Sequence, residues 1–335
     1  MLKVLFVSSE NEDKFGVTKV INSLKKNLKN KIKIKYSNKI FNMIKFRPDV
    51  IHIHGCWKIR LFLFFILSKI FSIKIIISPH GMINPVSFNQ KKVKKIIGWH
   101  FYQKIIFFKS NLIIVNSTNE KNNLKKKLNY KCNIIVIPHG IDIKKKINYK
   151  NISTKSNLKF VFFSRIHPSK NLHKLIELWK SDKFFDKYSL SIFGEITDES
   201  YFEKLFHNSG KNFKNIHYLG ALKKNLQNIL SKYDIFIMPS RSENFGLVVL
   251  EALSSGLFVL VNKNLPWQIL EKNHFGKSFI MNKKNLIYSI KKINQMKNKI
   301  RNKKYKIKIL NFLKVNYNWK KISDIYTSNY YSLVK

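Results

Sequence analysis

Short runs of Ile, Val, Leu and Phe alternate with segments of helical length along most of this chain, and they do so in two successive series. A run that is apolar at every position belongs to a strand buried on both faces. Strands of that kind joined through helices build parallel sheets covered on both sides. The first series predicts strands over residues 3–8, 50–54, 73–78, 112–116 and 134–137. The second predicts them over 159–164, 190–193, 216–219, 235–239 and 258–262. Between the two, residues 142–157 are polar and lysine-rich, with no core-forming run, as an interdomain linker is. The expected fold class is therefore α/β: two Rossmann-like domains, over 1–150 and 158–312, with ligands beyond the carboxyl ends of the strands in the cleft between them. A chain of 335 residues is long enough for two such cores.

Charge narrows the partners. The chain has 64 Lys and Arg against 18 Asp and Glu, a formal net charge of +46, yet only five of the 64 are Arg. Arginine is the residue of bidentate base and phosphate recognition, so its scarcity argues against nucleic acid. The 37 Asn and the Ile runs point to a compositional bias that supplies part of the lysine excess. Lysine-rich surfaces are also drawn to anionic lipid, and an anionic membrane surface is the expected partner. Cys56 and Cys132 stand in no Cys-x-x-Cys and read as thiols of a reducing compartment. The opening Met1 to Val7 reads as a first strand, not a signal peptide. Residues 61–77 are interrupted by Lys69 and Lys74, so they read as a helix followed by a buried strand; Phe62, Phe64 and Phe65 are expected to pack on the sheet, with an interfacial role at a membrane as the alternative. The expected location is cytoplasmic, peripheral on the inner face of the cytoplasmic membrane.

The segment from Ser240 to Leu253 carries the most chemistry. A strand ends at Pro239, Gly246 permits a close backbone approach, and an apolar helix follows. Such a turn aims free N–H groups and the positive end of a helix dipole at an anion. Glu243 lies in the loop and Glu251 about a turn into the helix, a spacing that suits the hydroxyls of a nucleotide sugar. The plainer reading makes Glu243 a helix cap and Glu251 a helix former.

This Glu-x7-Glu segment, Ser-Glu-Asn-Phe-Gly-Leu-Val-Val-Leu-Glu-Ala-Leu, resembles the signature of glycosyltransferase family 4, retaining enzymes of the GT-B fold. The resemblance implies that Glu251 binds the donor ribose and Glu243 faces the donor sugar. Asn244, Phe245, Gly246 and Leu247 would then line the sugar and phosphate. Residues 164–171, Ser-Arg-Ile-His-Pro-Ser-Lys-Asn, resemble the family's Gly-Arg-x-x-x-x-Lys-Gly loop, with Ser164 and Asn171 in place of glycines. There Arg165 and Lys170 bring two positive charges to a turn where a leaving diphosphate needs its growing charge neutralised. The resemblance implies no metal and no cofactor beyond the nucleotide diphospho-sugar donor, and no Asp-x-Asp pair is present.

The first domain carries companions. Residues 48–57, Pro-Asp-Val-Ile-His-Ile-His-Gly-Cys-Trp, resemble the family's strand end; His52, His54 and Cys56 alternate there and are open to a metal reading, against which Gly55 and the missing fourth ligand weigh. Ser78-Pro79-His80-Gly81-Met82 resembles a turn whose His80 reaches the donor sugar, with an ordinary turn histidine as the alternative. Residues 137–142 match the family's Ile-Pro-Asn-Gly-x-Asp turn with His139 for Asn. The first loop carries Phe15-Gly16 where the family has Gly-Gly, and Phe15, Gly16 and His54 are the acceptor-side candidates. Pro266-Trp267 resembles a pattern of bacterial surface-polysaccharide members, and residues 313–335 read as the helix that returns to the first domain. The implied reaction is retaining transfer of a sugar to a saccharide or lipid-linked acceptor, in polysaccharide or lipopolysaccharide assembly. Same-face displacement is preferred over a covalent intermediate on Glu243. The alternatives are a sugar-nucleotide epimerase or hydrolase on the same fold, and a basic membrane- or nucleic-acid-binding protein without catalysis.

Overall fold

The structure, a computed structural model, describes residues 1–9, 16–128, 132–143, 155–206, 214–222 and 225–335. It divides into two compact units, Met1–Gly140 with Tyr317–Lys335, and Ile141–Asn316. The first boundary falls at Gly140, earlier than the expected 150, and most of the expected linker lies outside the described residues.

The first unit holds strands β1 (Lys3–Ser8), β2 (Lys33–Tyr36), β3 (Val50–His54), β4 (Lys74–Ser78), β5 (Leu112–Val115) and β6 (Ile134–Val136). They form one parallel sheet in the order β2-β1-β3-β4-β5-β6. β3 and β5 are buried at every position, as strands covered on both faces must be. The helix over Ile59–Ile70 buries Leu61, Phe64 and Phe65 against this sheet, and Phe62 is half-buried. Helix Trp319–Ser332 belongs to this unit: Tyr330 bonds His52 at 2.7 Å, and Lys31 meets Asp324 at 2.6 Å.

The second unit holds β7 (Lys159–Phe163), β8 (Ser189–Phe193), β9 (Ile216–Tyr218), β10 (Ile235–Met238), β11 (Phe258–Asn262) and β12 (Gly276–Phe279). They form a second parallel sheet in the order β12-β11-β10-β7-β8-β9. A buried ion pair anchors its base. Arg301 grips Asp234 through Nε and Nη2, both at 2.8 Å, and Asp234 also accepts from the Lys159 amide at the start of β7.

β2 and β12 were not anticipated, and both lie at sheet edges. Their sequences, Lys-Ile-Lys-Tyr and Gly-Lys-Ser-Phe, carry charge and polarity that blunt an open edge and erase the apolar run.

Candidate functional site

The order of the second sheet creates a switch point. From β7 the chain steps outward through β8 and β9, then returns to lay β10 on the other side of β7. The loops leaving the carboxyl ends of β7 and β10 therefore part from adjacent strands, which is where open α/β sheets hold ligands. Both loops carry residues singled out from the sequence.

The loop after β7 is held on a firm backbone. The Ser164 amide bonds the Phe193 carbonyl at 3.1 Å, and the Ile166 amide bonds that of Glu195 at 2.8 Å. The two segments run so close that a Cβ on Gly194 would overlap the Ser164 carbonyl. Arg165 projects from this support into solvent, with no hydrogen bond or ion pair among the described residues. His167 caps the single turn Pro168–Lys170 by accepting from the Ser169 amide. Asn171, which replaces a family glycine, sits in the left-handed region at φ 57° and donates to the Pro239 carbonyl at 3.1 Å. Asparagine is among the few side chains that tolerate this conformation. Its amide ties the two loops together.

Lys170 Nζ meets Glu243 Oε1 at 2.6 Å, and each side chain keeps 13% of its exposure. The structure thus joins two residues placed in separate motifs. Glu243 is not the cap of the following helix, which spans Leu247–Ser254 and begins at Gly246 without a side-chain cap. Gly246 adopts φ 80°, where a side chain is strained, and turns the chain into the helix. Leu247 and Asn244 are half-buried beside it, and Glu251 lies half-buried one turn further on. Phe245 is buried against Trp267, whose indole N–H bonds the Phe245 carbonyl at 2.6 Å. Trp267 thereby fixes the turn, a role that the Pro-Trp pair alone did not disclose. Ser240 and Asn262 were also missed. Asn262 donates to the Ser240 carbonyl at 3.1 Å, and the fully buried Ser240 hydroxyl has no partner among the described residues. Their signal was position: each directly ends or follows a strand beside the switch point.

In the first unit, the histidines form a stack. His52 and His54 lie with ring centroids 4.0 Å apart, His54 and His80 at 5.3 Å, and His80 and His139 at 6.1 Å. His80 Nδ1 faces Asn116 Oδ1 at 3.3 Å, and Asn116 Nδ2 donates to the Ile137 carbonyl. His80 Nδ1 must then be the donor, and its Nε2 accepts from His54 Nδ1 at 3.0 Å. Both His80 nitrogens are engaged, while buried His54 Nε2 has no partner among the described residues. Burial lowers the His80 pKa to about 4; burial and then His80 lower that of His139 to about 3. Burial likewise holds His52 and His54 well below the ordinary imidazole value. His52 spends both nitrogens, on Tyr330 and on Ser78 at 2.8 Å, and the thiol of Cys56 is buried and pushed well up by desolvation. Among the described residues no group of three or more His, Cys, Asp or Glu is arranged for a metal. Gly16 starts the helix Val17–Leu28, and Phe15 lies outside the described residues.

Two family models tile the chain: Glycosyltransferase Family 4 over residues 5–145 and Glycosyl transferases group 1 over 142–308. The chain belongs to the family 4-type glycosyltransferases. Its two parallel α/β units form the GT-B fold. Sucrose-phosphate synthase from Thermosynechococcus elongatus matches with a TM-score of 0.78 at 14% identity over 99% of both chains. HepE of Anabaena, in complex with UDP and glucose, matches with 0.74 at 15% identity over 99% of this chain and 100% of its own. Among curated proteins, an uncharacterized 41.2 kDa protein of the Klebsiella pneumoniae cps region is 28% identical over 64% of this chain and 60% of its own. An Escherichia coli UDP-Gal:alpha-D-GlcNAc-diphosphoundecaprenol alpha-1,3-galactosyltransferase is 30% identical over 42% of this chain and 40% of its own. The matches thus span less than two thirds of these curated relatives.

Proposed function

We propose that this glycosyltransferase moves a sugar from a nucleoside diphosphate sugar to a saccharide or lipid-linked acceptor, with retention, in cell-surface polysaccharide assembly on the inner face of the cytoplasmic membrane. The observation that carries the reading is the Lys170–Glu243 pair at the switch point of the second unit, with exposed Arg165 on the same loop as Lys170. An ammonium has three N–H donors, so the bond to Glu243 leaves two for a phosphate oxygen. In this reading Arg165 and Lys170 neutralise the departing diphosphate, the Phe245–Leu247 turn offers amides to sugar and phosphate, Glu251 accepts from the ribose hydroxyls, and Glu243 faces the sugar. The two cations do the work that a metal does elsewhere, and full activity is expected in EDTA.

The preferred chemistry is displacement on one face. The bond from the anomeric carbon to the phosphate oxygen breaks, a bond to the acceptor oxygen forms on the same face, and the acceptor proton passes to the departing phosphate. His80 contributes a sugar contact only when its Nε2 leaves His54, since the other nitrogen is held by Asn116. The UDP-Gal and diphosphoundecaprenol in the name of the E. coli relative, and the UDP and glucose bound to HepE, favour a uridine donor and a lipid-linked acceptor. Incubation with UDP-, GDP- and ADP-sugars and a diphosphoundecaprenol-linked acceptor, followed by chromatography and NMR of the anomeric linkage, tests this. A glycosylated acceptor of unchanged anomeric configuration is expected. Free or epimerised sugar formed equally without acceptor contradicts it.

A further inference from the structure

Between Asp49 and Glu120 the chain carries no acidic residue, while the interval holds nine lysines and one arginine. The two bounding carboxylates are committed: Asp49 accepts from the Lys3 amide at 2.7 Å, and buried Glu120 binds the amides of Gly81 and Asn116. Within the interval stand the helix Ile59–Ile70 and a continuous helical run from Lys92 to Lys109, whose middle, Trp99–Gln103, is a π turn. The first connects β3 to β4 and the second lies between β4 and β5. Successive right-handed crossovers in one direction put both helices on the same face of the sheet. They pack together there, with Phe62 and Tyr102 ring centroids 5.8 Å apart.

Each helix is apolar on the side away from the core as well. Leu61, Phe64, Phe65 and Ser68 of the first are buried, yet Ile59, Leu63, Ile66 and Ile70 are exposed, at the spacing of a single helical stripe. On the second, Val93, Ile97, Phe101 and Ile105 recur every four residues and are exposed, Phe101 to 75%. Lys91, Lys92, Lys94 and Lys109 are exposed along the same run. The 18 residues of that run span about 27 Å. Two adjacent apolar stripes edged by lysines, with no carboxylate among them, match the interface of an anionic bilayer, where apolar side chains enter below the headgroups and ammonium groups meet phosphate. A second copy fits poorly, because a two-fold interface would set one cationic, acid-free face against another. No helix among the described residues is long and apolar enough to cross a membrane.

We propose that this face of the first unit docks on the anionic leaflet of a membrane, with the Ile59–Ile70 and Val93–Ile105 stripes at headgroup depth. The proposal deepens the membrane location proposed above, and rests on it, by naming the face that docks; it does not depend on the donor reading, so failed flotation would leave the transfer reaction standing. The test is flotation of the full chain with vesicles of phosphatidylcholine alone and of phosphatidylcholine mixed with phosphatidylglycerol. The comparison is with Leu63→Gln/Phe101→Gln and with a control, Lys283→Gln/Lys284→Gln, which removes exposed charge from the second unit. The wild-type chain is expected to float only with phosphatidylglycerol present. The stripe variant is expected to lose about tenfold in partitioning at an unchanged melting temperature, and the control to match wild type. Equal flotation of wild type and stripe variant, or none at all, overturns the proposal. So does a wild-type dimer in sedimentation velocity that the stripe variant dissolves, since a second copy would then cover the face.

Discussion

At the switch point Arg165 is an exposed cation with no hydrogen bond or ion pair among the described residues, and the donor reading rests on it. Replacing it with Ala, or Glu251 with Ala, is expected to lower kcat/KM by about 10²–10³, the usual effect of removing one preorganised charge contact. Steady-state kinetics with whichever of the UDP-, GDP- and ADP-sugars supports transfer reads it, and near-wild-type rates in either variant would refute the proposed roles. Gly194 gives a second, structural prediction. An added methyl must displace the Ser164 carbonyl, so Gly194→Ala is expected to cost about 1–3 kcal/mol in urea denaturation and to weaken donor binding by shifting the loop under Arg165. Unchanged stability would show that the two loops are less tightly fitted than described. The residue types of the site were legible from local motifs, but their partnerships were not. Lys170 and Glu243 lie 73 residues apart, and only strand order brings them together. Asn171 looked like a departure from a glycine position; its left-handed backbone explains the substitution. The fully committed ring of His80 could not be read from any spacing, since its partners come from the ends of two other strands.

At the scale of elements, the ten strands expected from apolar runs are all present: the inner ones because a strand buried on both faces must be apolar nearly throughout, and the edge strands β6 and β9 because their short sequences are still largely apolar. β2 and β12 escaped notice because an edge strand survives with lysines on it. The apolar second face of the Ile59–Ile70 helix was hidden for the opposite reason: periodicity reports a buried stripe, and here both stripes are apolar. The start of β7 rests on a buried contact: Asp234, at 2% side-chain exposure, receives both the Lys159 amide and the guanidinium of Arg301, itself at 4%. Removing the cation leaves a buried carboxylate unpaired, so Arg301→Leu is expected to destabilise the second unit by about 3–5 kcal/mol. Replacing both partners with apolar residues is expected to cost much less. Chemical denaturation of the single and double variants distinguishes the two outcomes, and a mild single-variant effect would mean that water or Lys306 takes over the pairing.

For the whole molecule, the stacked histidines set a limit on acid stability. In the unfolded chain they titrate near 6.5, whereas in the folded first unit His80 and His139 titrate near 4 and 3. Between those values the unfolded state binds more protons, so stability falls as pH falls, by about 1.4 kcal/mol per pH unit for each such group. Thermal melts from pH 7 to pH 4 are expected to show this decline, and His139→Asn to make it shallower; an identical slope would mean that His139 is solvated. The central claim concerns the second unit: a nucleoside diphosphate sugar held at the switch point between β7 and β10 by Arg165 and Lys170. The most direct measurement is a thermal shift of the full chain across UDP-, GDP- and ADP-sugars, repeated with Arg165→Ala. A donor at a hundred times its Kd is expected to stabilise the wild-type chain by about 2.7 kcal/mol and the variant hardly at all. No shift with any of these donors, or the same shift in both proteins, would contradict it.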